Sequence, residues 1–189
     1  LVFDAFSVNV HDATTTTTGT TTVTQGKLEG LSCGSRNMIT VDIGGTSADI
    51  STIPDGQIKI MNPRDSYVSG HPILIPMIDL VTIGAGGGSI AYVDSAGGFH
   101  VGPRSAGADP GPACYGRGGE EPTVTDAQVV LGRLDADKLL GGDLLLDPEL
   151  ARRAIESKIA KSLNLSTIDA ALGIIKVINS NMALAIRSN

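Results

Sequence analysis

The stretch Met38-Ile-Thr-Val-Asp42-Ile-Gly44-Gly45-Thr46-Ser47-Ala48-Asp49-Ile-Ser-Thr-Ile53 decides how this chain is read. Its two ends, Met38 to Ile43 and Ala48 to Ile53, are rich in the β-branched and apolar residues that suit a pleated strand. Between them lies Gly-Gly-Thr-Ser, a connection so short that the two strands must pair antiparallel. Pro54-Asp55-Gly56 is a second turn by composition, and Ile58-Lys59-Ile60 reads as the third strand of an antiparallel meander.

The first turn is the unusual element. Gly44 and Gly45 allow φ > 0 and a close approach of backbone to a ligand, because no Cβ intervenes. Successive N–H groups in such a turn can share one concavity and hold phosphate oxygens, and Thr46 and Ser47 add hydroxyl donors. A carboxylate beside bound phosphate is repulsive unless a cation stands between them. Asp42, at the end of the first strand, therefore reads as a ligand of Mg²⁺-bound water or as the group that orients the attacking nucleophile. Asp49 opens the second strand. The same letters also suit an ordinary hairpin turn with a capping Asp, and pattern alone leaves the two readings level. There is no Gly-Lys-Ser/Thr, and a strand follows the turn, so this is not a P-loop.

Downstream, Ile83-Gly-Ala-Gly86-Gly87-Gly88-Ser89 offers a second anion-binding nest, a substrate-side loop, or a flexible turn linking a strand to a hairpin, Ile90 to Asp94 with Phe99 to Val101. A long irregular stretch, Gly102 to Glu120, reads as a packed functional loop. Within it Arg104 and Arg117 could pair with carboxylate or phosphate, and Cys114 and Tyr115 could touch substrate. Cys114 has no Cys or His at ligand spacing, which argues against zinc and for a buried structural thiol. His11, His71 and His100 share no pattern. Thr125-Asp126 stands where a short helix starts, with either residue as its N-cap. If that helix end faces a cleft, Asp126 joins the site. Beyond it, Asp147-Pro148 caps a helix carrying Leu150, Ala154, Ile155, Ile159 and Leu163 on one face. Ser166 to Asp169 resembles a capping box before a second helix with Ala171, Leu172, Ile175, Ile178, Met182 and Ile186.

These motifs together are specific. Asp42-Ile-Gly-Gly-Thr46 followed by Ser47-Ala48-Asp49 resembles the second phosphate motif of the actin, heat-shock-70 and sugar-kinase ATPases, and within them the hydantoinase A / 5-oxoprolinase family. Ile83 to Ala91, Gly102 to Gly116, and Pro122-Thr-Val-Thr-Asp-Ala127 with Leu131-Gly132 are similar to that family in the same order. The resemblance runs from Met38 to about Ile186. It implies an α/β fold: part of an actin-like ATPase domain over residues 38–189, with a mixed sheet opening in the meander and helices after it. Residues 1–37 stay unassigned; they include nine threonines between positions 14 and 24, where the family would have a Gly/Ala-rich stretch. It further implies ATP and Mg²⁺ as cofactors, with Gly44, Gly45, Thr46, Ser47, Asp49, Gly86, Gly87 and Gly88 binding nucleotide, Asp42 serving the metal, and Asp42 and Asp126 as catalytic groups.

The activity implied is ATP-dependent opening of a cyclic amide, hydantoin or 5-oxoproline in type, with a hydantoinase B-type partner subunit or domain. Ketone carboxylases of the acetone type share the same subunit, and the motifs do not separate the two. A nucleotide-switched actin- or chaperone-like binding protein is a further reading, against which stand the Gly102–Gly116 loop and Thr-Val-Thr-Asp-Ala. A non-catalytic assembly subunit is another, weakly disfavoured by the intact Asp42. The chain looks cut at both ends and holds about one wall of a nucleotide cleft, so alone it is expected to be inactive.

Bulk properties bound these readings. Hydrophobic residues make up 41% and charged residues 18% of 189 residues, enough for a packed core. A net charge of −6 argues against a nucleic-acid backbone binder, which needs a basic face. No run suggests the roughly 20 apolar residues of a membrane span. Two cysteines give no disulfide framework, and a reduced, cytoplasmic protein is expected.

Overall fold

The computed structural model describes residues 5–10, 27–62, 67–68, 71–72, 77–137 and 145–188. The threonine tract lies outside them. Four strands form the main sheet, in the order β1 (Ala5–Val10), β2 (Met38–Ile43), β3 (Ala48–Ile53), β6 (Val81–Ile83). β1 runs parallel to β2, while β2–β3 and β3–β6 are antiparallel, so the sheet is mixed. Between β1 and β2 a short helix, α1, covers residues 27–32. A small ribbon pairs β4 (Tyr67–Val68) with β5 (His71–Pro72).

The β2–β3 hairpin forms where its composition places it, with Met38 opposite Ile53 and Ile43 opposite Ala48. The third strand does not. Pro54–Gly56 closes as a 3₁₀ turn with Asp55 at φ 51°, and Ile60 makes only an isolated bridge to Ile78. The neighbour of β3 is β6, which comes from beyond the small ribbon. Ile60 is 56% exposed, so the alternation in Ile58-Lys59-Ile60 lacks the buried face that would fix a central strand.

A second sheet holds β7 (Ser89–Val93) and β8 (Phe99–Ser105). Its turn is locked by Asp94, whose Oδ1 accepts from the N–H groups of Ala96 (2.9 Å) and Gly98 (2.8 Å). The Asp94 carboxyl is held below its ordinary pKa, chiefly by the Gly98 amide and then by the His100 ring at 2.7 Å. β8 extends to Ser105, four residues past the expected strand end at Val101, which makes an ordered wall of what the sequence suggests is loop.

Helices α2 (Val124–Val130), α3 (Pro148–Ile155), α4 (Lys161–Leu163) and α5 (Thr167–Ser188) pack behind this hairpin. A π turn at Glu156–Ala160 joins α3 to α4. As expected, Asp147 caps α3, accepting from Glu149 and Leu150 N–H, and Ser166 with Asp169 caps α5. Ile155, Ile159 and Ile174 are fully buried in the shared core, each contributing about 1.5–3 kcal/mol. With 22 residues and a mean hydropathy of 1.3, α5 has the length and composition of a membrane span, contrary to the sequence expectation. Its Ala170, Ala171, Ile174, Ile175 and Ile178 are nevertheless spent on the core against α2 and β8.

Candidate functional site

Three loops converge at the end of the β2–β3 hairpin. The first is the turn itself, Gly44 to Ser47, closed by one bond from Gly44 N–H to Ser47 O (2.9 Å). Neither glycine uses φ > 0, against the expectation, since neither is among the positive-φ residues. Their lack of side chains serves close approach. The Gly84–Ser89 loop lies on the turn, with Gly87 N–H on Gly44 O (3.0 Å) and Gly88 N–H on Gly45 O (2.6 Å).

That packing overturns the second nest. Gly86 N–H is spent on Ser89 Oγ at 2.9 Å, and those of Gly87 and Gly88 on the turn carbonyls, so none of the three is left for an anion. They are a strut. A Cβ on Gly86 would stand 2.6 Å from Gly44 O and 2.8 Å from Gly45 C and O, all backbone atoms that cannot swing away. Gly86→Ala is expected to destabilise the protein by about 1–3 kcal/mol through overpacking, and thermal melting of the two proteins would show it.

The turn keeps its own donors. The amides of Gly45, Thr46 and Ser47 have no hydrogen-bond partner among the described residues, and Thr46 is exposed. A Cβ on Gly44 would meet only Ser47 O, at an ordinary 3.6 Å, so the protein leaves that side open.

Asp42 and Asp49 face each other across the ladder, which puts both carboxylates on one face of the sheet. Directly opposed like charges destabilise a sheet unless something positive lies between them. Asp49 accepts from Thr82 Oγ1 at 2.5 Å, and Asp42 is 7% exposed. Two pairs further from the turn Thr40 opposes Ser51 on the same face. Ser51 donates to Asp79 O (3.0 Å), while Thr40 Oγ1 is buried with no hydrogen-bond partner among the described residues. An orphan buried hydroxyl beside two carboxylates is what a face completed by water or an ion leaves behind. Among the described residues no group of three or more His, Cys, Asp and Glu gathers for a metal. Mg²⁺ needs only one or two carboxylates when waters and phosphates complete its shell, so the residues fit an anion on the turn with a hydrated divalent cation at the carboxylate pair.

Asp126 is placed elsewhere. It is wholly buried, and its oxygens accept from Ala113 N–H (3.3 Å), Cys114 N–H (2.8 Å), Thr123 N–H (2.8 Å) and Thr123 Oγ1 (2.7 Å). A carboxylate with four donors has nothing left for a substrate, so the geometry makes it a positioning residue where a catalytic one was expected. The N-cap of α2 is Thr123, in a reciprocal capping box with Asp126, and neither Thr125 nor Asp126 fills that position. Thr125 instead ties α2 to the strut, its N–H and Oγ1 both donating to Gly87 O (2.8 and 2.9 Å). Cys114 is buried, and burial first, then Asp126, pushes its thiol pKa far up. It is a neutral structural thiol, as the sequence suggested. Arg104 and Arg117 lie over the rings of Tyr92 (5.3 Å) and Tyr115 (5.9 Å).

The third loop begins at Ser105, which sequence reading passed over. Its hydroxyl lies 3.3 Å from that of Thr46 and accepts from Gly107 N–H at 3.1 Å. Only the spacing of a strand running into Ser-Ala-Gly could have pointed to it.

The site is thus a glycine turn whose amides are unpaired among the described residues, standing over paired carboxylates and braced by a glycine strut. The chain belongs to the Hydantoinase/oxoprolinase family, whose profile matches residues 19–189 and so reaches upstream of Met38. It is 51% identical over 154 residues to caprolactamase subunit alpha of Pseudomonas jessenii, covering 82% of this chain and 22% of that protein. The crystal structure of the ATP-dependent caprolactamase from that organism superposes with a TM-score of 0.77 at 49% identity, over 86% of this chain and 23% of the other. The 5-oxoprolinase of Saccharomyces cerevisiae is 41% identical over 161 residues, 80% of this chain and 12% of that protein. The nucleotide-free acetone carboxylase structure, from work on ATP-dependent acetone carboxylation, superposes at TM-score 0.77 with 35% identity, over 88% of this chain and 23% of its own. The chain thus spans about a quarter or less of these relatives.

Proposed function

We propose that these residues belong to an ATP-dependent enzyme subunit that opens cyclic amides, and that the β2–β3 hairpin is the second phosphate-binding hairpin of an actin-like ATPase domain. The observation that carries this reading is the turn whose three amides, unpaired among the described residues, stand at the end of a strand pair bearing Asp42 opposite Asp49. The amides of Gly45, Thr46 and Ser47 would hold phosphate oxygens, and Asp42 with Asp49 would hold hydrated Mg²⁺. ATP, when bound, supplies the phosphoryl group that activates a poor electrophile such as an amide carbonyl. The chain's residues position it, neutralise charge and keep the turn rigid. A partner subunit completes the reaction in this reading, in line with the word subunit in the caprolactamase relative's name. Unpaired Cys33 and Cys114 suit a reducing cytoplasm.

Ketone carboxylation is the second reading, favoured by the likeness to acetone carboxylase. Phosphate release by the full-length protein with its partner separates them. Stimulation by 5-oxoproline, hydantoin or caprolactam supports the first, and stimulation by a ketone with bicarbonate the second. Gly44→Ala tests the turn itself. Its Cβ fits the fold but fills the open side, so melting should be unchanged while Mg-ATP affinity falls about tenfold or more, as a calorimetric titration would measure. Full affinity in that variant would put the nucleotide elsewhere.

A further inference from the structure

We propose that Ser105 is a ligand of the transferable phosphoryl group, forming the lip opposite the Gly44–Ser47 turn. This rests on the ATP reading above and adds to it a residue from a different loop. Ser105 closes β8, half-buried, where the hairpin leaves the core and before the exposed run 107–110. Its hydroxyl meets that of Thr46, at the exposed tip of the turn, at 3.3 Å.

The hydrogen-bond inventory of Ser105 fixes what it can do. A serine hydroxyl has one proton and two acceptor sites. Gly107 N–H takes one acceptor site at 3.1 Å, which orients the oxygen and leaves the proton to be aimed across the gap. Among the described residues, the side chain it hydrogen-bonds there is the Thr46 hydroxyl, itself able to donate or accept. With a phosphate oxygen on the turn amides, both hydroxyls can turn their protons to the anion, a charge-assisted bond stronger than the neutral one they share.

The surroundings hold Ser105 in place for this. Ala106 N–H donates to Gly88 O at 2.8 Å, and Gly88 N–H to Gly45 O, so the loop bearing Ser105 and the turn hang from the same strut. Gly88 also makes room, since a Cβ there would stand 2.9 Å from Ser105 Oγ. The base of the turn carries the Asp42–Asp49 pair, where a cation would sit and neutralise charge on the transferred phosphate, and that phosphate is the one assigned to Ser105. The assignment is therefore to the terminal phosphate of ATP, which ADP lacks.

The test uses Ser105→Ala and Ser105→Thr in the full-length protein with its partner, titrated with Mg-ATP and Mg-ADP. Ser105→Ala should bind Mg-ATP about 10- to 100-fold more weakly, the range for a lost hydrogen bond to a charged group. Mg-ADP affinity and the melting temperature should be unchanged, and Ser105→Thr should restore most of the loss. Equal weakening of ATP and ADP, or a loss that follows a fall in melting temperature, would make Ser105 merely structural and overturn the proposal. Wild-type ATP affinity in Ser105→Ala would overturn it as well. If Gly44→Ala also binds Mg-ATP like wild type and Asp42→Asn turns ATP over like wild type, the ATP reading has failed; if Gly44→Ala binds Mg-ATP weakly and Ser105→Ala does not, only the role of Ser105 has.

Discussion

On the proposed ATP-dependent function, Asp42→Asn in the full-length protein is expected to lower substrate-dependent ATP turnover by about 10³-fold while leaving Mg-ATP affinity within about tenfold of wild type, a magnitude usual for losing one preorganised electrostatic group. Asparagine keeps the shape of the side chain and removes its charge. A group that orients a cation's water or a nucleophile acts most in the transition state, so its loss appears in kcat more than in binding. Stability separates this from simple damage. Asp42 is directly opposite Asp49, and removing one of two opposed carboxylates relieves a repulsion of up to ~1 kcal/mol. The melting temperature should therefore stay close to that of wild type as activity collapses. Steady-state kinetics beside a binding titration and a thermal melt give all three quantities, and an unchanged kcat would remove Asp42 from the mechanism.

Much of this site is legible in the sequence because it is built from local rules. A strand, a four-residue glycine turn and a strand can only form a hairpin, and the position of Asp42 and Asp49 on one face follows from the two-residue period. What sequence hides is the company the turn keeps. Nothing in Gly86-Gly87-Gly88 says whether its amides face a ligand or a neighbouring carbonyl, and the fold spends all three on protein atoms. The third strand is hidden for a similar reason, since Ile58 to Ile60 and Val81 to Ile83 both read as short strands and only packing decides which one joins β3. The start of α2 was legible. Thr123-Val-Thr-Asp126 has the same Thr/Ser-x-x-Asp spacing that marks the start of α5 at Ser166 to Asp169, and the cap lies two residues before Thr125 and three before Asp126.

Asp126→Ala is expected to cost about 3–5 kcal/mol, a large part of the 5–15 kcal/mol that holds a typical domain folded. The carboxylate is fully buried and is the acceptor for three backbone amides and one hydroxyl. Alanine leaves those donors without their acceptor in a fully buried site, and each stranded donor costs about 1–3 kcal/mol before relaxation. Asp126→Asn should lie between. Oδ2 serves Ala113, Thr123 N–H and Thr123 Oγ1, whereas Oδ1 serves Cys114 alone. The amide will therefore settle with its oxygen at the Oδ2 position and its NH₂ opposed to one donor, Cys114 N–H. Melting temperatures should fall in the order wild type, Asn, Ala. A chemical readout localises the damage, because Cys114 is buried and neutral while Cys33 is exposed. In wild type an alkylating reagent should modify Cys33 and spare Cys114, as peptide mass spectrometry would show. In Asp126→Ala the Ala113–Tyr115 turn loses its anchor and Cys114 should become modified. The damage should also reach the phosphate turn, since α2 holds Gly87 through Thr125 and Gly87 holds Gly44. ATP affinity in Asp126→Ala should thus fall although Asp126 touches no ligand. A variant that melts like wild type and keeps Cys114 protected would show that the four hydrogen bonds are not what orders this end of the site.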